Sequence, residues 1–131
     1  MEFKAHTNDA EFRSLMRRLR NAGGKANTAM KTSMRRSAKP IVRDLKAEAE
    51  LHKRTGATKR SIGTRTKRDG ILVGVRYNFQ DTKTGKIPNK YAAKVNAMQG
   101  DWFGNVWGQH KHHVVKNMFS ELKLQLNKKG F

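Results

Sequence analysis

One apolar stripe, running through residues 26–52, constrains the fold of this chain more than any other feature. Its members recur at the three- and four-residue spacing of a single helix face: Met30, Met34, Ala38, Ile41, Leu45 and Ala49. The spacing predicts one helix of about 40 Å. Pro40 lies inside it, and proline removes a backbone hydrogen bond and clashes with the preceding turn. Because the stripe keeps its phase across Pro40, we predict a kink there and not a break.

Two shorter amphipathic helices are predicted on either side of the long one. Residues 8–20 present an apolar face made of Phe12, Leu15, Met16 and Leu19. Asn8 and Glu11 have the spacing of a capping box, and the glycines at 23 and 24 stop the helix. Residues 112–127 present a second such face, made of Val115, Met118, Phe119, Leu122 and Leu126. Both patterns are typical of helices packed on a core.

A β-hairpin is predicted between these helices. Residues 61–67 alternate modestly between apolar and polar side chains, with Ile62, Thr64 and Thr66 on one side. Residues 71–77 alternate better and place four side chains on one side: Ile71, Val73, Val75 and Tyr77. The connection is Arg68-Asp69-Gly70, and an Asp-Gly pair is a strong hairpin-turn signal. The 131 residues therefore predict one α+β domain with a short first helix, a long kinked helix, a small antiparallel sheet and a closing helix.

The region between the hairpin and the last helix is less regular. Residues 78–90 are rich in turn formers and predict an exposed loop. Residues 91–95 fit either a third strand or one helical turn. Residues 97–111 interleave glycines with aromatic side chains, and we expect both 78–90 and 97–111 to be mobile and to face a partner. Within the second segment, the candidate interface residues are Trp102, Phe103 and Trp107.

The charge balance points to anionic partners. The chain carries 29 Lys and Arg against 10 Asp and Glu, a formal net charge of +19. Two stretches, 51–68 and 82–100, contain no acidic residue and are the strongest candidates for positive patches. We take five residues in and beside the hairpin as candidate contacts to DNA phosphates: Lys59, Arg60, Arg65, Lys67 and Arg68. The alternative for these five is a solvated basic surface, and any DNA contact would be independent of base sequence.

Catalytic and metal-dependent functions find little support in the sequence. The chain has no cysteine, which excludes a disulfide framework, a thiolate nucleophile and a cysteine zinc site. No acid–base pair or phosphate-binding glycine loop is recognisable, so we expect neither an enzyme nor a cofactor. His110, His112 and His113 form a cluster, for which an exposed helix start is favoured over a metal site. We also expect no signal peptide and no membrane-spanning helix.

The order of these elements resembles the tail-completion, or head–tail joining, proteins of long-tailed bacteriophages. In that family a Thr-Gly-x-Leu-x-x-Ser-Ile segment follows the long helix and opens the sheet, and here Thr55, Gly56, Ser61 and Ile62 match it. The family's Tyr-Ala segment, which leads a strand, corresponds to residues 91–92. Thr58 stands where the family has Leu, and residues 112–115 replace a proline-rich start of the last helix.

The resemblance implies a non-enzymatic virion protein that forms a homo-oligomeric ring, a hexamer or dodecamer, at the head–tail junction. Its partners would be the portal or connector and the tail-tube or tail-terminator proteins, with non-specific DNA in the lumen and no membrane. Thr55, Gly56, Ser61 and Ile62 would then set the fold and bind no ligand. Two alternatives stay open, a free basic nucleic-acid-binding protein and, with less support, a ribonuclease-like toxin.

Overall fold

The computed structural model describes residues 2–5, 10–53, 55–67 and 70–128 of the chain. The strands are β1 (Glu2–Ala5), β2 (Ile62–Lys67) and β3 (Gly70–Val75). The helices are α1 (Ala10–Ala22), α2 (Gly24–Leu51), α3 (Ala57–Ser61), α4 (Ala92–Met98), α5 (Trp102–His110) and α6 (Val114–Lys128), with one 3-10 turn at Pro88–Lys90. The α+β class, the long helix, the hairpin and the closing helix are confirmed.

Helix α1 ends and α2 begins at the predicted glycine pair. Gly23 and Gly24 have φ values of 65° and 51°, a region that glycine enters without steric cost. Met16, from the predicted apolar face of α1, is buried in the core. The capping role predicted for Asn8 lies outside the described residues. The two glycines thus turn the chain so that α1 packs against α2.

The long helix α2 is continuous from Gly24 to Leu51, with Pro40 inside it. All six members of the predicted stripe are buried, and they pack against β2, β3 and α6. Two serines also lie on the buried side of the helix. The hydroxyls of Ser33 and Ser37 donate to the carbonyl oxygens of Met30 and Met34, at 2.7 and 2.8 Å. Those bonds satisfy the two hydroxyls without any partner from another element.

The sheet has the order β1-β3-β2, and both pairings are antiparallel. In the predicted hairpin, Ile62 pairs with Val75 and Lys67 with Gly70, which leaves a two-residue connection outside the described residues. The core face of β3 is fully buried through Ile71, Val73 and Val75. Tyr77, predicted to continue that face, lies beyond the end of the strand and is 53% exposed. Strand β1, which the sequence patterns did not predict, pairs with the other edge of β3.

The region after the hairpin is more helical than predicted. Residues 78–87 form the expected loop, but Tyr91-Ala92 opens helix α4 and not the strand that the resemblance implies. Residues 102–110, predicted as part of a mobile segment, form α5, which packs against α2. Along α6 the buried residues are Val114, Met118, Leu122 and Gln125, so Met118 and Leu122 of the predicted stripe lie in the core, and Val115 and Leu126 are partly buried beside it. Phe119, also predicted as core, lies at the margin of this face and is 37% exposed.

A basic cleft as the candidate functional site

A cavity of about 710 Å³ lies where the end of α2 meets the region after the hairpin. One wall comes from residues 49–59 and the other from residues 85–99, while Trp102 and Phe103 form part of its floor. Apart from Ala49, the residues of the two walls belong to the two acid-free stretches of the sequence, 51–68 and 82–100. We call this cavity the basic cleft. The fold therefore brings together two positive segments that are separated along the chain.

The first wall is shaped by the end of α2 and the turn into α3. Gly56 has a φ of 79° and precedes α3, and a Cβ there would lie 2.8 Å from Nη1 of Arg60. The imidazole of His52 stacks on the indole of Trp102, with ring centroids 5.7 Å apart and an interplanar angle of 7°. His52 therefore joins the first wall to the floor.

Two lysines of the first wall share one carboxylate. Lys53 and Lys59 donate to the two oxygens of Glu50, at 2.5 and 3.0 Å. The hydrogen bond from Lys53, then that from Lys59, lowers the pKa of Glu50 below its ordinary value. Glu50 does not itself line the cleft. Two positive charges are thus positioned by a single negative one, which leaves this wall with a net positive charge.

The second wall is anchored by a buried aspartate. Asp81 is 1% exposed and accepts two hydrogen bonds from Arg60, Nε to Oδ1 at 2.6 Å and Nη2 to Oδ2 at 2.9 Å. It also accepts from the hydroxyl and the backbone N–H of Thr84, at 2.7 and 3.0 Å. Arg60 is the main cause that holds the pKa of Asp81 far below its usual range, and Thr84 adds to it. Loop 78–87 is thereby attached to α3.

The floor is organised by a second polar group of residues. Asn96 donates from Nδ2 to Asp101 Oδ1 at 2.7 Å and accepts the backbone N–H of Phe103 at 3.0 Å. Asp101, with a φ of 52°, caps α5 by accepting the backbone N–H of Gly104 at 3.1 Å. A Cβ on Gly104 would collide with the carboxylate of Asp101, so the cap requires glycine there. These bonds fix the start of α5 under the cleft.

Positive charge dominates the lining of the cleft. Lys53, Lys59, Lys86 and Lys90 line it, and none of the described Asp or Glu residues does. Within the described part of the chain, no carboxylate pairs with Lys86 or Lys90, in contrast to the two lysines held by Glu50. Apolar surface from Ile87, Tyr91 and Val95 lies among these charges. The arrangement suits an anionic group attached to an apolar one.

The five predicted phosphate contacts do not form one free basic patch. Lys59 is held by Glu50 and Arg60 by Asp81. Arg65 pairs with Glu2 of β1 at 3.2 Å and lies 4.3 Å over the ring of Tyr77. Lys67 is exposed, and Arg68 lies outside the described residues. Three of the five are thus engaged within the chain, and of the four that the structure describes Lys59 alone lines the cleft.

Two of the three aromatic residues predicted to face a partner are buried within the chain itself. Phe103 is fully buried, and Trp102 is 7% exposed with its Nε1 donating to Gln99 at 3.0 Å. Trp107 is partly buried against the same core. The glycines suggested mobility, but Gly104 serves the Asp101 cap, and the aromatic side chains fill the chain's own interior.

The three histidines of the predicted cluster lie in different environments. His110 lies 2.7 Å from Asp44 of α2 through Nε2, and this hydrogen bond lowers the pKa of Asp44. His112 and His113 are exposed in the turn before α6. Among the described residues, no group of three His, Cys, Asp or Glu side chains could hold a metal ion.

None of the described helices is long and apolar enough to cross a membrane.

Sequence reasoning missed His52, Lys86 and Lys90 as members of a site. The available signal was the absence of acidic residues from 51–68 and 82–100, which marked the segments but not their contact. That contact depends on the hydrogen bonds of Asp81 with Arg60, 21 positions away, and of Asn96 with Phe103, seven positions away. Neither hydrogen bond is part of the repeating pattern of a helix or a strand.

Comparisons with protein-family models, with curated proteins and with solved structures found no match for this chain.

Proposed function

We propose that this chain is a structural subunit of a long-tailed phage, assembling as a ring at the head–tail junction and carrying out no catalysis. The observation that carries the proposal is the joint between α2 and the sheet. The segment Thr55 to Ile62 follows the long helix and leads directly into β2, as the resemblance to tail-completion proteins implies.

The residues of this joint have structural roles that fit the proposal. The Thr55 hydroxyl accepts the backbone N–H of Ala57 at 3.3 Å, and Gly56 supplies the left-handed conformation before α3. Ser61 is fully buried and donates to the carbonyl oxygen of Thr58 at 2.5 Å, while Ile62 enters the core. Such residues fix how a sheet meets a helix, which agrees with fold-setting positions.

Exposed apolar side chains give the ring proposal a second support. Leu51 at the end of α2 and Met98 at the end of α4 are 77% and 78% exposed. Phe119 and Leu124 are exposed on a different element, α6. A ring is built from heterologous contacts, in which two different surfaces of each subunit meet. Apolar side chains on separate elements are suited to that requirement.

The test is localisation in the virion of the phage whose genome encodes the chain. Immunogold electron microscopy with an antibody against the purified protein should label the point where capsid and tail meet. Tail-less heads and free tails should then be labelled at one end only or not at all. Purified virions that lack the chain in mass spectrometry would contradict the proposal.

Assembly in solution gives a complementary measurement. Identical +19 subunits repel one another, and salt at about 0.15 M screens this repulsion only beyond about 8 Å. We therefore expect the isolated protein to sediment as a monomer at low salt and to join a ring on the portal or connector. A stable ring at low salt without any partner would overturn the templated assembly but leave the location in the virion untouched.

The net charge favours a second candidate, a free nucleic-acid-binding protein. Binding to phosphates would weaken steeply with salt, because each neutralised phosphate releases counterions. Arg60 and Arg65 each have a carboxylate of their own, whereas Lys59 shares Glu50 with Lys53 and Lys67 is exposed. The informative changes are therefore Lys59→Gln and Lys67→Gln, with Lys31→Gln and Lys116→Gln as a control of equal charge. DNA affinity that is insensitive to salt, or equal in both double variants, would exclude a phosphate site at the hairpin.

A further inference from the structure

We propose that the basic cleft binds an acidic segment of a partner protein that inserts one apolar side chain between its lysines. This inference rests on the proposed function, for which it names the chemistry of one partner contact. It joins two features of the cleft, uncompensated positive charge at its edges and apolar surface at its base.

The charge argument begins with the lysines that lack a partner. Lys86 and Lys90 lie on the second wall, and within the described residues neither meets a carboxylate. Across the cleft, Lys53 and Lys59 have one carboxylate, Glu50, between them. An occupant with two or more carboxylates would complete these pairs. Such pairs are formed at low cost here because the lysines are exposed or half-buried and keep their hydration until the partner arrives.

The apolar argument concerns the surface between those charges. Val75, Ala92 and Phe103 lie buried beneath the cleft, and the half-buried side chains of Ile87 and Tyr91 together with the exposed Val95 present apolar surface above them. Met98 lies one turn after Val95 on the same face of α4 and is highly exposed. A cavity of about 710 Å³ is within the range of pockets that enclose small ligands or side chains. An aliphatic side chain of a partner is therefore the natural occupant of the base.

The aromatic residues of the cleft argue against a nucleic acid. Single-strand binders stack bases on open aromatic faces. Trp102, the largest aromatic side chain of the lining, has one face covered by His52 and its Nε1 engaged by Gln99. A base would have to displace His52 to stack there, whereas an acidic peptide needs only the lysines and the apolar base. The covered indole of Trp102 and the apolar lining therefore favour a protein segment over a nucleic acid, since the positive charge alone would attract either.

The experiment uses the full-length protein and three fluorescein-labelled peptides. The first has the sequence Asp-Glu-Leu-Asp-Glu, the second replaces its acids by the matching amides, and the third replaces Leu by Ser. Binding is followed by anisotropy and by amide and indole chemical shifts in NMR spectra. We expect the acidic peptide to shift the Trp102 indole signal and residues 85–99. The amide and Ser peptides should each bind at least about fivefold more weakly.

The matched variants are Lys86→Gln/Lys90→Gln and, as a control of equal charge outside the cleft, Lys31→Gln/Lys116→Gln. The first pair should weaken binding of the acidic peptide about five- to tenfold, and the control pair less than twofold. Equal losses in both pairs, or shifts scattered over the surface, would mean that only the net charge attracts the peptide and would overturn the proposal. So would a single-stranded oligonucleotide of the same charge that binds more tightly and depends on Lys86 and Lys90.

Failure of this inference is distinguishable from failure of the proposed function. If the chain is found at the head–tail junction but no acidic peptide binds the cleft, the structural role stands and the partner chemistry is wrong. If the peptide binds the cleft but virions lack the chain, the proposed function is wrong and the cleft serves another acidic protein.

Discussion

The core between α2 and the sheet and the second wall of the basic cleft are held together in different ways. In the core, buried side chains such as Leu45 and Val73 are apolar and have no exposed surface. In the wall, the backbone is attached through two buried polar side chains, Asp81 and Asn96. The core spreads its stability over many contacts, whereas the wall depends on a few hydrogen bonds between specific atoms. We therefore expect apolar substitutions in the core that conserve volume to cost little stability. In the wall, a substitution that removes one hydrogen-bonding group should release the attached backbone.

The largest effect is expected from truncating the centre of the core. Leu45→Ala removes a fully buried side chain at the contact between α2 and the sheet, and should lower the free energy of unfolding by about 3 kcal/mol. Leu45→Met conserves most of the volume and should cost less than about 1.5 kcal/mol. Urea denaturation measures both. An equal loss of unfolding free energy in the two variants would contradict the expectation that the core tolerates side chains of similar volume.

Replacing Asp81 should lower the free energy of unfolding by less than Leu45→Ala does, but it should strongly increase local opening of loop 78–87. Asp81→Ala leaves the Arg60 guanidinium and Thr84 without their acceptor, so loop 78–87 should detach from α3. We expect a loss of stability below that of Leu45→Ala, with amide hydrogen exchange accelerated at least about tenfold at residues 84–86. Thr82→Ala, at an exposed position of the same loop, is the control. Unchanged exchange at Thr84 in the Asp81 variant would show that other contacts hold the wall.

Acid should affect the wall through the same carboxylate. Because the folded-state pKa of Asp81 is lowered, its contribution to stability is fully present above the ordinary value of 3.8 and is lost as the pH falls through the folded-state pKa. The midpoint temperature of unfolding should fall as the pH is lowered below about 4. In Asp81→Asn the fall should be shallower, since this group no longer titrates. Identical pH profiles for the two proteins would remove Asp81 as a source of acid sensitivity.

The smallest effect is expected at the contact between α5 and α2. His110→Ala removes the hydrogen bond to Asp44, at a site where His110 is partly exposed, and should cost about 0.5–1 kcal/mol. His112→Ala changes an exposed residue of the neighbouring turn and should be neutral. Thermal unfolding of the two variants compares them directly. A neutral His110 variant would mean that aromatic packing alone holds α5 in place.

The same division explains what the sequence could predict. The stripe of α2 and the alternation of β3 repeat with the period of their secondary structure, so they can be read from neighbouring residues. Helix α5 was missed because Gly104 and Gly108 lower helix propensity, and because the Asp101 cap that requires Gly104 depends on a backbone conformation. The sequence indicated the two walls of the cleft but not that they meet. Its two acid-free segments were evident, but their contact depends on Arg60 meeting Asp81 across 21 positions.

The placement of β1 has a consequence for the order in which the protein folds. Glu2 pairs with Gly74 and Ala5 with Ile71, so this pairing closes a loop of about 70 residues, whereas β2 and β3 are joined by two. The entropic cost of that closure makes β1 the last strand to join. Residues 2–5 therefore wait for residues 71–74, and β3 keeps an open edge until β1 pairs with it. Pulse-labelled hydrogen exchange during refolding should protect amides of the β2–β3 pairing before those of β1. Simultaneous protection of both pairings would contradict this order.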